Sequence, residues 1–429
     1  MVETIGAEPS RLSGRLLYIP RMTYGGARAF AAAFRSIGVD ATVVPPSDRR
    51  TLELGRKYSS GDECYPQQVT LGDFLRIIES PGYRPEKTAF FMPTADGPCR
   101  FGQYAPYMRM VLEELGQGDT LIISPTSANG YAGVGEHASD LIRTAWRALV
   151  GSDALRKLLL KTRPYEVNPG ETDGVYEECL TDLCQAVEPV AILHKERLER
   201  IATSLVRSRD RFRSIRIAFD PERPLIGVVG EIFCRLNTFS NENLVRRIER
   251  HGGEVWLSDV SEWVWYTDYE SQRKLRMAGK GWSKAMLGAK IKTFFQRRDE
   301  HKLVHPLRED FRGYEEQEDV RVLFRHAQPY LPHTGALGEM VLNMGKAGYL
   351  YEKGADGIID ISPFSCMNGI TCEAIYPKLS RDKDGIPVRI FYFDGTQSDL
   401  DRDVGIFMEM AKAYQQRKRR QRVRPFLQD

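Results

Sequence analysis

Three of the seven cysteines stand in settings that suit metal or redox chemistry. Cys64 lies in Gly61-Asp62-Glu63-Cys64-Tyr65-Pro66, Cys99 in Asp96-Gly97-Pro98-Cys99-Arg100-Phe101-Gly102, and Cys366 in Ser362-Pro363-Phe364-Ser365-Cys366-Met367-Asn368-Gly369. Each is expected near the carboxyl end of a strand or at the start of a helix, where open α/β sheets bind ligands. A helix N-terminus also favours the thiolate, the form that ligates metal. The neighbouring Gly and Pro residues would let the backbone approach a bulky group closely. The spacing is long and irregular and matches no compact ferredoxin or zinc pattern, so only the fold could bring these thiols together. A free cysteine is also commonly a small buried hydrophobe. The residues alone leave both readings open.

The remaining cysteines carry a weaker signal. Cys179 and Cys184 are five apart in a helical stretch, about 140° apart around its axis, and read as packed thiols. Cys234, in Gly230-Glu231-Ile232-Phe233-Cys234-Arg235, follows a strand and is a candidate fourth ligand; Cys372 is turned away from Cys366 on one helix and reads as packed. Glu231, Arg235, Asn237 and Asn243 cluster after the same strand, where they could bond a bound group or cap a helix. His326 and His333 flank a loop without a base–nucleophile pairing. There is no serine-hydrolase elbow, no HExxH helix and no GxxxxGK[ST] phosphate loop. Gly133-Val134-Gly135-Glu136-His137-Ala138 loosely matches a dinucleotide pattern but stands well past its strand, so it reads as a loop.

The elements that must position these residues alternate. Apolar runs predict strands over 16–20, 40–44, 88–92 and 120–124, spaced by helical segments that include 27–38 and 101–115. Strands separated by helices imply right-handed crossovers and parallel sheets. A charged helical stretch follows over 139–213, interrupted at Pro164 and Pro169. A second set of strands is predicted over 225–229, 254–257, 356–361 and 388–393, with helices over 241–251 and 400–416. The fold class is therefore α/β, with two Rossmann-like parallel-sheet domains and helical insertions. The expected division is residues 1–138, an N-terminal α/β domain carrying Cys64 and Cys99; 139–218, a helical connector; and 219–429, a second α/β domain carrying Cys366, with a helical insertion over 262–330.

Composition bounds the function. A formal net charge of +3 over 429 residues gives the molecule as a whole no strong electrostatic signature for nucleic acid or an anionic membrane, and neither is expected as a partner. The basic run Arg417-Lys418-Arg419-Arg420, with Arg422 and Arg424, reads as a solvated helix end. No apolar stretch is long enough to cross a bilayer, and the first residues do not read as a signal peptide. A cytoplasmic protein is expected, in which cysteines stay reduced.

The segments Glu63-Cys64-Tyr65-Pro66, Gly97-Pro98-Cys99-Arg100-Phe101-Gly102-Gln103-Tyr104, Gly230-Glu231-Ile232, Gly354-Ala355-Asp356-Gly357 and Pro363-Phe364-Ser365-Cys366-Met367 occur in that order. Together they resemble the CoA-activase-associated branch of the 2-hydroxyacyl-CoA dehydratase/benzoyl-CoA reductase superfamily, over roughly Leu16 to Tyr414. The resemblance implies a 4Fe-4S type iron–sulfur cluster, single or double, ligated by Cys64, Cys99 and Cys366, with Cys234 a non-ligand. It further implies electrons received from an ATP-hydrolysing activator protein, a small substrate with acyl-CoA among the candidates, and a dimer. Two expectations follow: a reductase or dehydratase component, or a non-catalytic, cluster-bearing partner of the activator.

Overall fold

The computed structural model describes residues 11–423 except 96, 98, 125–133, 318, 335–337 and 397–398, and the side chain of Glu136. Two four-stranded, all-parallel sheets carry the architecture. The first comprises β1 (Leu16–Ile19), β2 (Ala41–Val43), β3 (Thr88–Phe91) and β4 (Leu121–Ile123), in the order β2-β1-β3-β4. The second comprises β5 (Leu225–Gly230), β6 (Glu254–Leu257), β7 (Gly357–Pro363) and β8 (Val388–Phe393), in the order β6-β5-β7-β8. All eight strands lie where the apolar runs predict them. β5, β6 and β7 are buried along their whole lengths, because helices cover both faces of the sheet.

Both sheets therefore have the same wiring. The chain leaves the first strand of each to one side, then returns to pair on its other side. The reversal points lie between β1 and β3 and between β5 and β7, the crevices that open α/β sheets use for ligands. At the second crevice β5 and β7 come so close that only glycine fits. Gly230 has φ +124°, and a Cβ there would lie 2.1 Å from the Ile361 carbonyl oxygen.

The connector forms three helices, Ala138–Thr162, Glu171–Val187 and His194–Arg213. Pro164 sits in a short 3-10 turn, Arg163–Tyr165, and Pro169 in the break before the second helix. Buried residues of these helices share one apolar cluster with the crossover helix Tyr24–Arg35. The expected insertion contains the helices Val260–Met277, Lys284–Val304 and Arg321–Ala327.

A buried ionic network joins the helical layer to the second sheet. Fully buried Lys346 pairs with Glu262 (2.9 Å) and with Glu316, which also meets Lys157 at 2.5 Å. Lys157 and Arg156 in turn bridge to Asp259, just after β6, at 3.3 and 3.0 Å. Charges this deep are tolerated only because each is paired.

The last helix, Leu400–Arg417, matches expectation, but the basic run beyond it does not behave as a solvated end. Lys418 pairs with buried Asp356 at 2.6 Å, and Arg422 with buried Glu254 at 2.5 Å. These two cations neutralise carboxylates at the N-terminal edges of β7 and β6, so the tail is a strap across the second sheet. Pattern reading missed this because a basic run looks the same whether its counter-charges are water or buried acids.

Candidate functional site

The three singled-out cysteines occupy one structural role. Each is the residue immediately before a helix: Cys64 before Tyr65–Ile78, Cys99 before the 3-10 turn Arg100–Gln103, and Cys366 before Met367–Asp382. All three have extended backbone there, so the chain turns into the helix at the thiol-bearing residue. Cys99 lies in the loop after β3 and Cys366 in the loop after β7. Each loop borders the crevice of its own sheet.

Side-chain bridges join the two crevices. Arg100 Nη1 donates to the Asp62 carbonyl (2.5 Å) in the Cys64 loop. Arg100 Nη2 donates to the carbonyl (3.1 Å) and hydroxyl (3.2 Å) of Ser365 in the Cys366 loop. One guanidinium next to Cys99 thus holds the other two cysteine loops. A second bridge runs from Asn237 Nδ2, beyond β5, to the Arg21 carbonyl beyond β1, at 2.7 Å. The loops at the carboxyl ends of the two sheets are therefore bonded to each other.

Electrostatics point the same way. Cys64, Cys99 and Cys366 all sense the Glu231 carboxyl, and Cys99 and Cys366 also sense Glu339. Burial pushes the Cys64 thiol up to about 11 and the Cys366 thiol up to about 12, and raises Cys99. The thiolate-favouring effect expected of helix N-termini is thus outweighed by desolvation and by the acidic neighbours. Free thiols held neutral in this way are poor nucleophiles, whereas a bound metal would deprotonate them outright. The Cys64 Sγ and the Tyr104 hydroxyl lie 2.5 Å apart, so Cys64 already has a polar partner. Among the described residues, no three His, Cys, Asp or Glu side chains form a close metal-holding group. A cluster binds its cysteines on different irons and so needs them more widely spread than a single ion does.

The polar lining comes from the second sheet. Glu231 accepts from the Phe233 and Cys234 amides (3.0 and 2.7 Å), capping the short helix Ile232–Leu236. Buried Arg235 donates to the Gly230 carbonyl (3.1 Å), and Asn343 accepts from the Gly230 amide at the same distance. Glu339 accepts from the Ile232 amide at 2.8 Å. Burial raises the carboxyl pKa of Glu231 and Glu339, the latter strongly, and pushes Asp360 up to about 6. Burial thus disfavours the charged form of these carboxyls, and Glu231 and Glu339 are the two that act on the thiols. Asn237 does bridge the sheets as described, while Asn243 begins the helix Leu244–Arg250 with a left-handed backbone (φ 56°).

The other cysteines are packed. Cys179 and Cys184 belong to the connector's apolar core, Cys234 is fully buried under β5, and Cys372 lies within hydrogen-bond reach of the Met340 carbonyl at 3.5 Å. The His333 ring stacks on Phe324, and burial lowers the His326 pKa. The loosened glycine pattern begins at Gly133, outside the described residues; its 3-10 turn Gly135–His137 leads into the connector. Sequence reading gave no role to Arg100, Tyr104, Glu339 or Asn343. Arg100 and Tyr104 at least stood inside a cysteine motif; nothing local marks the other two. Compared with models of known protein families and with functionally curated proteins, the sequence matches none.

Proposed function

We propose that this protein holds an iron–sulfur cluster on Cys64, Cys99 and Cys366, receives low-potential electrons from a separate ATP-hydrolysing activator, and uses them to reduce or dehydrate a small substrate, an acyl-CoA thioester being one candidate. The observation that carries the proposal is the Arg100 bridge, which ties the three cysteine loops together. The residues suit the group: three thiols at helix-opening positions, none of them engaged in a capping hydrogen bond, with a hydroxyl beside one sulfur. A four-iron cluster held by three thiolates supplies one iron open to a non-cysteine ligand, hence Lewis-acid or inner-sphere electron chemistry.

The chain's own contribution is positional and protic. Arg100 and Asn237 fix the two halves, and Glu231 and Glu339, whose carboxyl pKa values burial raises, are the groups that would give protons to a substrate as it gains electrons. Replacing Cys64, Cys99 or Cys366 singly with serine lowers the iron content of anaerobically purified protein, while Cys179→Ser leaves it unchanged. Equal iron content in all four variants would refute the assignment. A second reading is a non-catalytic, cluster-bearing partner of the activator. The apolar, exposed side chains of Phe364, Met367 and Ile370 around Cys366 favour it, as a surface another protein could cover. ATP-dependent turnover of an acyl-CoA or a small unsaturated test compound would exclude it.

A further inference from the structure

The helices Val260–Met277 and Lys284–Val304 form a hairpin whose base is firmly held. At the base Trp146 packs against Trp265 with ring centres 5.1 Å apart, and its indole donates to the Gln296 carbonyl at 3.0 Å. Buried Asp299 pairs there with Arg147 at 2.7 Å. Toward the tip this changes. Between 271 and 295 only Met286 is buried, and the helices are joined there by polar links, Gln272 to Thr293 (2.9 Å) and Lys292 to Asp268 (2.7 Å).

Large apolar side chains nevertheless crowd that end and face outward. Trp282, in the turn, is fully exposed; Met277 is 74% exposed, Phe294 63% and Leu287 60%, with Ile291 half exposed. At about 100° per residue, Leu287, Ile291 and Phe294 fall within about 60° of one another around their helix, with Lys290 on one side and Lys284 on the other. The charge is equally one-sided. Residues 271–298 contain nine Lys or Arg and no Asp or Glu, although Arg273, Lys292, Arg297 and Arg298 pair with carboxylates outside that stretch. Lys280, Lys284 and Lys290 make no ion pair among the described residues.

We infer that this hairpin tip is a peripheral docking element for an anionic lipid surface. Charge complementarity demands a negative occupant, and it argues against a second copy of the chain, because a symmetric pairing would set this basic face against itself. Trp282 and Phe294 offer rings to a nucleic-acid base, but aliphatic Met277, Leu287 and Ile291 make up the rest of the exposed apolar surface and suit acyl chains rather than a stacking platform. These side chains project from the tip of a helical hairpin. A bilayer accepts such a shape without a matching partner, taking Trp282 and the apolar stripe below the headgroups while flanking lysines reach up to them. No helix among the described residues is long and apolar enough to cross a membrane, so the contact is interfacial.

Flotation of the purified full-length protein tests the inference, with vesicles of phosphatidylcholine alone and of phosphatidylcholine mixed equally with phosphatidylglycerol. The protein should float with the mixed vesicles only, and less so as salt rises. Trp282→Ser should weaken apparent affinity about tenfold or more. Reversing Lys280, Lys284 and Lys290 to Glu together should weaken it about a hundredfold. All four side chains are exposed, so circular dichroism and melting should not change. Three results would overturn the inference. One is equal binding, or none, to both vesicle types. Another is competition by an oligothymidylate with no effect of Trp282→Ser, which marks a general polyanion site. The third is a dimer in velocity sedimentation that Trp282→Ser dissolves, which marks a self-interface.

Discussion

Replacing Arg100 with methionine keeps the aliphatic stem and removes the guanidinium that links the three cysteine loops. The lost bonds are one to the Asp62 carbonyl at 2.5 Å and two to Ser365 at 3.1 and 3.2 Å. A hydrogen bond from a charged donor contributes about 1.5–3 kcal/mol when buried, but Arg100 is partly exposed and water competes for it. About 1–2 kcal/mol in total is a reasonable scale, small beside the stability of a folded domain. That free energy acts on loop closure, so it should raise the open fraction of the site about 5–30-fold. The assay is the rate at which anaerobic protein surrenders iron to a chelator, measured beside a urea melt. The expected result is iron loss faster by about that factor, with the melt nearly unchanged. Unchanged iron loss would show that the bridge does not assemble the site. A large fall in global stability would show that Arg100 serves the fold instead.

Tyr104→Phe removes the hydroxyl 2.5 Å from the Cys64 sulfur. Iron content should hold while the cluster's midpoint potential falls, since hydrogen bonds to sulfur favour the reduced state; spectroelectrochemical titration reads this, and an unchanged potential counts against the Cys64 assignment. Lys346→Met strands the buried carboxylates of Glu262 and Glu316 and should cost about 3–5 kcal/mol in chemical denaturation; a loss below 1 kcal/mol contradicts the network's role. Asp73, buried against the hydroxyls of Ser47 and Thr51, has its carboxyl pushed up to about 7 by desolvation. Its folded value lies above the unfolded one, so the folded chain keeps a proton the unfolded chain has lost. Its contribution to stability is therefore lost as pH rises from about 4 to 7, by at most about 4 kcal/mol. Asp73→Asn should flatten that part of the stability–pH curve, and a slope identical to the parent's would refute it.

The strands were legible because a parallel sheet covered on both faces needs uninterrupted apolar runs, which Leu225–Gly230 and Gly357–Pro363 supply. The helix-opening position of the cysteines was legible too, from the Pro and Gly around them. Their common setting was not. It rests on contacts such as Arg100 to Ser365 and Asn237 to Arg21, between residues 265 and 216 positions apart, which no local pattern encodes. Glu339 and Asn343 escaped notice for the same reason: they matter only because their helix packs against the end of β5. The thiol pKa expectation failed in sign because a sequence reveals the helix terminus but not the depth of burial. The C-terminal strap was misread because its counter-charges, Asp356 and Glu254, lie far back in the chain.

The central claim is that the fold gathers Cys64, Cys99 and Cys366 for iron and sulfide rather than for packing. Its most direct test is the iron and acid-labile sulfide content of protein purified under strict anaerobiosis. The account predicts coloured protein with about four of each per chain, or about twice that for a double cluster. Colourless protein with neither iron nor sulfide would contradict it.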